Sequence, residues 1–202
     1  MLDHPLSGID DWLVLFSNNS LPVLRVTKRR LLEMREDIDQ VDVRELARVI
    51  LQDPIMTVRV LAFIQPMRAR SLQSDITTIA SALLIAGIDP FFQQFNDLPT
   101  IEGLLDGVDR HAMLGVLQIV RRAQRAADYA QDWAIWRHDT GMEEVRIAAL
   151  LHELAELLVW CFAPKLGLEI QAQQLAHPTM RSADAQRNTL GLSYQDIQVA
   201  LC

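Results

Sequence analysis

The residues best suited to chemistry lie in the stretch ALLHELAELLVWC, residues 149–161, where a histidine and two carboxylates interrupt an apolar run. If the stretch is one helix, His152 and Glu156 are four residues apart and share a face, with Glu153 beside them. A catalytic metal site needs at least three protein ligands that converge on one point and leave one position open for water. The stretch therefore predicts either a metal-dependent active site or the remains of one.

The string HELAE also resembles the zinc-protease pattern, in which two histidines four apart on a helix bind the metal and a glutamate follows the first. Glu156 stands where the second histidine is required. The protease interpretation thus loses one of its two defining ligands. No glycine-flanked serine elbow and no glycine-rich phosphate loop occurs elsewhere in the sequence.

Structural interpretations of the same residues stay open. A histidine without a second histidine at ligand spacing is more often a hydrogen-bonded side chain in a core or at a helix end, and Glu153 and Glu156 also fit the solvated edge of an amphipathic helix. Trp133 and Trp136 are predicted to lie in the core. The remaining histidines are His4, His111, His138 and His177.

Composition limits the classes of function. The chain has 202 residues, half of them hydrophobic, which is enough for one domain or two closely packed lobes. Nineteen basic and 26 acidic residues give a net charge of −7, which argues against nonspecific binding of nucleic acid. The cluster Arg121, Arg122 and Arg125 is therefore predicted to be a solvated helix face. No long apolar run or signal peptide is visible, and two cysteines do not make a disulfide framework, so we expect a cytoplasmic protein without membrane contact.

Apolar spacing and helix punctuation predict helices along the whole chain. Asp42 fits an N-cap with a glutamate three residues on, which predicts a helix over 42–52. Asp53-Pro54 is a cap followed by a proline in the first turn, so the next helix begins there, and Pro66 is expected to end it. Further helices are predicted over 76–87, from Asp89-Pro90, over 109–136, from Thr140 or Gly141 to Pro164, and from Ser193 onward.

The predicted architecture is all-α. No segment shows the sustained two-residue alternation of a strand. The glycine-containing, acidic region 100–110 is the best internal boundary, which predicts an N-terminal helical lobe over 1–105 and a C-terminal helical lobe over 106–202 that pack together. The last helix is still under way at Cys202, which predicts that the chain is truncated there.

Three landmarks, in order, resemble the HDOD domain family, which is related to the HD-superfamily metal-dependent phosphohydrolases. They are LPVLRVTKRRLLEM (21–34), LARVILQDPIMTVRVLAF (46–63) and IAALLHELAELLVW (147–160). The segment ITTIASALLIAGID occupies the place of the family's Ile, Ala and Leu-Gly helix. The resemblance covers the chain from about residue 20 to its end and implies a multi-helical HD-like fold.

Two departures from the family pattern bear on the site. The resemblance implies that active HD phosphohydrolases hold a metal with an upstream His, a His-Asp pair and a downstream Asp, and that HDOD domains commonly lack part of this set and act in regulation. Here His152 matches the paired histidine, Glu153 replaces its aspartate, and His111 is the nearest upstream candidate. Asp184 or Asp196 could supply the downstream carboxylate. The family's Asn-Ser turn after the Asp-Pro helix is replaced by Ile64-Gln65-Pro66.

The resemblance therefore implies a non-catalytic signalling or regulatory module without a cofactor. Its expected partner is another signalling protein or a second copy of the chain, and neither nucleic acid nor membrane. The alternative is a divergent HD-type phosphohydrolase that acts on a nucleotide or cyclic dinucleotide, with a divalent metal ion held by His152, Glu153 and His111.

Overall fold

The structure, a computed structural model, describes residues 1–68 and 78–201, and these residues form helices joined by short connections. The described residues contain no strand. A single parallel bridge joins Val23 to Thr100. The predicted all-α fold is confirmed. Within these residues no single helix is long and apolar enough to cross a bilayer, and only one bent pair, Met142–Phe162 with Pro164–Ala176, meets the same test jointly.

The chain divides into two compact units that interleave along the sequence. The terminal unit contains Met1–Leu21, Glu102–Arg122 and His152–Cys202, and the central unit contains Pro22–Ile101 and Ala123–Leu151. These units do not follow the predicted division at residue 105, because the long helix that begins after that point contains residues of both.

The central unit is a set of short helices packed on one another. Its helices are α2 (Arg25–Glu36), a 3-10 turn at Ile38–Gln40, α3 (Val43–Ile50), α4 (Pro54–Arg68), α5 (Ile79–Ala86), α6 (Ile88–Gln94) and α9 (Met142–Leu151). Helix α5 packs against α3, α4 and α6, and α4 also packs against α9. Helices α7 (Ile101–Leu104) and α8 (Arg110–Trp136) each contain residues of both units.

The terminal unit is built around one helix that is apolar on all sides. Its other helices are α1 (Ile9–Asn18), α10 (Leu154–Phe162), α11 (Pro164–Ala176), α12 (Ser182–Leu190) and α13 (Tyr194–Leu201). Helix α10 packs against α11 and α13, and α13 packs against α1. From Leu157 to Phe162 every residue of α10 is buried. Such a helix is the core of its unit rather than one of its amphipathic walls.

Asp53 organises the central unit. Its Oδ1 atom accepts hydrogen bonds from the backbone N–H groups of Ile55 (3.0 Å) and Met56 (3.1 Å), which caps α4 as predicted. Its Oδ2 atom accepts the N–H of Leu24 at 2.8 Å, just before α2 begins. Burial raises the pKa of this carboxyl, and the backbone donors with Thr27 oppose the rise. One buried side chain thus fixes the start of two helices 29 residues apart.

Trp160 is enclosed by two glycines of the terminal unit. A Cβ atom on Gly115 of α8 would collide with the six-membered part of its ring, and a Cβ atom on Gly167 of α11 would lie 2.7 Å from ring carbons. Each glycine lies inside a continuous helix, where it makes room for the indole.

Other helix boundaries correct the sequence prediction in detail. Helix α4 continues past Pro66 to Arg68, since a proline in the last turn costs one backbone hydrogen bond and little of the helix follows it. Helix α6 begins at Ile88 rather than at Asp89-Pro90, because Gly87, with φ of +85°, turns the chain one residue earlier. Helix α5 is confirmed from Ile79, and the predicted start at 76 lies outside the described residues. Helix α12 has no counterpart in the prediction.

Substitution of Asp53 will test its role in the central unit. We expect Asp53→Ala to lower the free energy of unfolding by about 3 kcal/mol, because three buried N–H groups lose their acceptor. The matched control is Asp42→Ala at the exposed N-cap of α3, where Asp42 accepts one bond from Arg44 N and the cost is about 1 kcal/mol. Urea unfolding monitored by circular dichroism measures both, and equal losses would contradict the role given to Asp53.

The packing of Gly115 and Gly167 against Trp160 gives a second prediction. In an unhindered helix Gly→Ala stabilises by about 1 kcal/mol. We expect Gly115→Ala and Gly167→Ala instead to destabilise by about 2 kcal/mol each, because the new methyl group overpacks Trp160. Gly141→Ala, at the residue before α9 and 3.4 Å from the flexible Glu144 carboxylate, is a control for the loss of backbone freedom without a clash against an indole. Thermal unfolding that showed stabilisation at Gly115 would contradict the packing.

Candidate functional site

The stretch predicted as one helix around His152 is two helices. Helix α9 ends at Leu151 and α10 begins at Leu154, so that His152 and Glu153 form the turn before α10. His152 is exposed, and Glu156 lies in the first turn of α10. The expectation that His152 and Glu156 share one helix face is therefore wrong. Both residues nevertheless line the same cavity.

Arg122 holds the two carboxylates of this site. Its Nε atom donates to both oxygens of Glu153 at 2.6 Å, and its Nη2 atom donates to Glu156 Oε2 at 2.5 Å. The guanidinium is 45% exposed and each glutamate side chain 24%. An arginine that joins two carboxylates through separate nitrogens makes charge-assisted hydrogen bonds with defined geometry. Arg122 is thus the counter-ion of the site.

Protonation within this group follows from burial and charge. Burial lowers the pKa of Arg122, but the two carboxylates outweigh it and raise that pKa above its ordinary value. Burial raises the pKa of Glu156, Arg122 opposes the rise, and the nearby charge of Glu153 adds to it. Burial also raises the pKa of Tyr194, and the charge of Glu156 contributes. Arg122 therefore stays charged and Tyr194 neutral near pH 7.

The cavity lies wholly within the terminal unit. Its volume is about 390 Å³, and a second cavity of about 130 Å³ shares Glu156, Ser182 and Tyr194 with it. The first turns of α10, α12 and α13 border the larger cavity. Helix N-termini carry partial positive charge, which favours acidic side chains in the first turn. Glu156 and Asp196 occupy such positions, so the acidic lining of the cavity has a structural cause.

Amide side chains hold the cavity walls together. Gln186 accepts the N–H of Tyr194 at 2.9 Å and donates to Ser182 Oγ at 2.8 Å, which joins α12 to the start of α13. Gln198 of α13 accepts the N–H of Ala155 at 2.9 Å and so caps α10. The cavity is therefore walled by groups that already serve as hydrogen-bond partners within the protein.

The other predicted ligands lie apart from the cavity or serve as structural partners. His111 pairs through Nδ1 with Asp109 at 2.7 Å at the start of α8, and it does not line the cavity. Asp184 forms an ion pair with Arg187 at 3.7 Å. Asp196 lines the cavity, but its Oδ2 atom accepts the N–H and the hydroxyl of Ser193 at 2.8 Å each, in the predicted cap of the last helix.

Sequence reasoning missed the residues that organise the site. Arg122 was predicted to belong to a solvated basic cluster, although it is the cation between two carboxylates more than thirty residues further along the chain. An arginine and two acids three residues apart could in principle be recognised in the sequence as an ion-paired group. Many other arginines and acids in this chain would fit the same pattern equally well. Gln186, Gln198 and Tyr194 carry no sequence signal, because their roles depend on how α12 and α13 approach α10.

The fold and the cavity define an all-helical domain in which a His-Glu turn opens a buried helix. The HDOD domain model matches residues 21–202, nearly the whole chain. The chain therefore belongs to the HDOD domain family, as the three sequence landmarks predicted. No curated protein matches the sequence.

Solved structures support the fold. The chain is similar to the MmoQ response regulator from Methylococcus capsulatus str. Bath, with 17% identity and a TM-score of 0.66 over 91% of this chain and 70% of that chain. It is also similar to a virulence factor from Campylobacter jejuni subsp. jejuni, with 19% identity and a TM-score of 0.63 over 97% of this chain and 69% of that chain. At these identities the likeness shows the fold alone.

The side chains at the cavity do not fit the metal set implied by the HD superfamily. Among residues 1–68 and 78–201, no group of three or more His, Cys, Asp or Glu side chains is arranged to hold an ion. Both oxygens of Glu153 accept hydrogen bonds from Arg122. A divalent ion there would have to displace a guanidinium that already pairs with both carboxylates, at a distance where repulsion between cations is strong.

Substitution of Arg122 will test its pairing with Glu153 and Glu156, which we call the Arg122 clamp. Arg122→Gln leaves Glu153 and Glu156 side by side without a cation, and we expect a loss of about 1–2 kcal/mol at pH 7, reduced from the value for a fully buried pair by solvent screening. Because the pKa of Glu156 is already raised in the folded state, protonation relieves the repulsion. The loss should therefore be small below the ordinary pKa of a glutamate and appear as the pH rises through the folded pKa.

The neighbouring exposed Arg121 provides the matched control. Arg121→Gln removes the same charge from the same turn and should change stability by less than about 0.5 kcal/mol at any pH. Urea unfolding of both variants at several pH values between 4 and 8 makes the comparison. A pH-independent loss at Arg122, or an equal loss at Arg121, would contradict the clamp.

Proposed function

We propose that this protein is a non-catalytic regulatory module of the HDOD type that acts through contacts with other proteins in the cytoplasm. The observation that carries the proposal is the Arg122 clamp. A guanidinium with a permanent charge stands beside the carboxylate of Glu153, the residue that by the family resemblance replaces the acid of the His-Asp pair. A single cation of the chain itself thus pairs with both glutamates of the site.

Further observations agree with a binding role. Two amide side chains of the cavity, Gln186 and Gln198, are engaged in a link between helices and in a helix cap, which suits a rigid scaffold better than a site that must bind and release substrate. One similar structure is described as a response regulator, a class of signalling protein. The expected partner is therefore a signalling protein or a second copy of the chain, and the net charge of −7 disfavours nucleic acid.

Metal content and hydrolysis test this proposal directly. The protein is purified without chelator, incubated with Mn²⁺, Zn²⁺ or Mg²⁺, desalted and measured by elemental analysis. We expect far less than about one ion per chain, because fewer than three suitable ligands converge. Hydrolysis of bis(p-nitrophenyl) phosphate and of a cyclic dinucleotide should not exceed the rate of the buffer with the same ion.

The outcome that would overturn the proposal is specific. About one bound ion per chain that is lost in His152→Ala and in Glu153→Gln would place a metal at this turn and favour the divergent phosphohydrolase. His177→Ala, which removes an exposed histidine outside the cavity, is the matched control for histidine-dependent binding elsewhere on the surface.

A further inference from the structure

The second half of α8 reverses the usual placement of apolar side chains. Ala127 and Ala134 are buried, whereas the three aromatic residues of this half face solvent. Tyr129 is 70% exposed, Trp133 70% and Trp136 87%. The prediction that the two tryptophans belong to the core is therefore wrong. Burial of a large aromatic ring is among the most favourable contributions to folding. Because α8 buries alanines instead, the central unit gains no such stabilisation from these three rings.

Two alanines on the buried side of α8 pack against a residue of another helix. Ala123 and Ala127 form a small apolar cluster with Leu150 of α9. Arg146 of α9 closes the same side through its ion pair with Asp128 at 3.2 Å. The face of α8 that meets α9 is thus complete, and the aromatic rings lie on a different face.

The three aromatic residues form one continuous surface, which we call the aromatic stripe (Tyr129, Trp133 and Trp136). Spacings of four and three residues place them on one face of a helix, over about 10 Å of its length. With their exposed fractions, the three rings present roughly 350–550 Å² to solvent. An apolar patch of this size on a single protein commonly marks an interaction site.

Charges beside the aromatic stripe favour a particular partner. Arg125 and Asp132 are both exposed, and they are seven residues apart on the side of α8 that carries the stripe. In an antiparallel pair of identical helices whose two-fold axis passes between residues 128 and 129, the residue at 125 of each copy lies opposite the residue at 132 of the other. Arg125 and Asp132 then form two equivalent ion pairs across the interface, with the aromatic rings between and beside them.

We propose that the aromatic stripe, with Arg125 and Asp132, is the interface through which two copies of this chain form an antiparallel dimer. A two-fold interface must be self-complementary, and this surface meets that condition in charge and in apolar area. The stripe alone supplies about half of the roughly 800 Å² per partner that a standard interface buries. This inference rests on the proposed function, which requires a contact with another protein, and it identifies that protein as a second copy of the chain.

Analytical ultracentrifugation and small-angle scattering of the full chain test the dimer. We expect a reversible dimer with a dissociation constant on the order of micromolar. Trp136→Ala and Trp133→Ala should each weaken association by about tenfold or more, because a tryptophan buried in an interface is commonly one of its strongest contributors. Leu175→Ala, which removes an apolar side chain that is 76% exposed in the terminal unit, is the matched control and should leave the dimer unchanged.

Charge reversal distinguishes this dimer from other assemblies. Arg125→Asp and Asp132→Arg should each weaken the dimer, because each places like charges opposite one another. The double variant R125D/D132R should restore it, since the two ion pairs return with reversed sign. Rescue of this kind is specific to a symmetric antiparallel pair. It also excludes misfolding as the cause of the single-variant effects.

Each alternative outcome overturns the inference. A protein that stays monomeric at a concentration of about 200 µM has no such dimer. A dimer unaffected by both tryptophan variants uses another surface, and a dimer without rescue in R125D/D132R has another geometry. Tight binding to anionic vesicles that is lost with the tryptophans would assign the stripe to a membrane surface instead. The proposed function is tested separately by metal content and hydrolysis, which do not depend on association.

Discussion

Two carboxylates three residues apart at the start of a buried helix repel one another unless a cation lies within reach. In the terminal unit Arg122 is that cation, and it contacts both Glu153 and Glu156. The pairing ties α8 to the first turn of α10, the helix around which the unit is packed. Without it the buried acid could keep its place only by taking up a proton. The same contact supports the proposed non-catalytic role, because a cation of the chain itself already occupies both carboxylates beside the cavity.

Each unit also depends on one buried group that several elements share. In the central unit the Asp53 carboxylate caps α4 and holds the backbone before α2. In the terminal unit Trp160 lies between Gly115 and Gly167, which allows α8 and α11 to approach α10 closely. These groups make the helices mutually dependent, since each also contacts a residue that is distant in sequence. In such a fold we expect the largest losses of stability from substitutions at these few positions, because several helices contact the same side chain.

Helix α8 shows how the same chain combines packing with recognition. Its alanines allow α9 to lie close, and its aromatic residues remain for contact outside the unit. Sequence periodicity alone suggests the reverse arrangement, because large apolar residues at helical spacing normally mark the buried face. The proposed regulatory role and the proposed dimer are linked through this helix. A module that transmits a signal through protein contacts needs a stable framework and an exposed surface that is costly to leave in water.

Much of the fold could be predicted from the sequence, because its signals are local. Asp42 and Asp53 lie next to the helices they cap, the apolar spacing of α3, α4 and α8 repeats within each helix, and the three landmarks identify the family. Helix boundaries were predicted less well where a distant contact acts, as at the break before Leu154, where Gln198 accepts the N–H of Ala155. The site could be predicted only in part. His152 and Glu153 were found from their types and spacing, whereas the role of Arg122 was not, because its partners lie 31 and 34 residues away.

Local sequence patterns were therefore enough to establish an all-helical member of the HDOD family and to single out His152 and Glu153 as candidate site residues. What surrounds this pair, and which face of α8 is buried, depends on the tertiary structure. The physical reason is the distance along the chain over which each interaction acts. Capping, helix propensity and periodic burial act over a few residues and leave a local record, whereas the counter-ion of a carboxylate and the neighbour of a tryptophan are set by which helices meet in space.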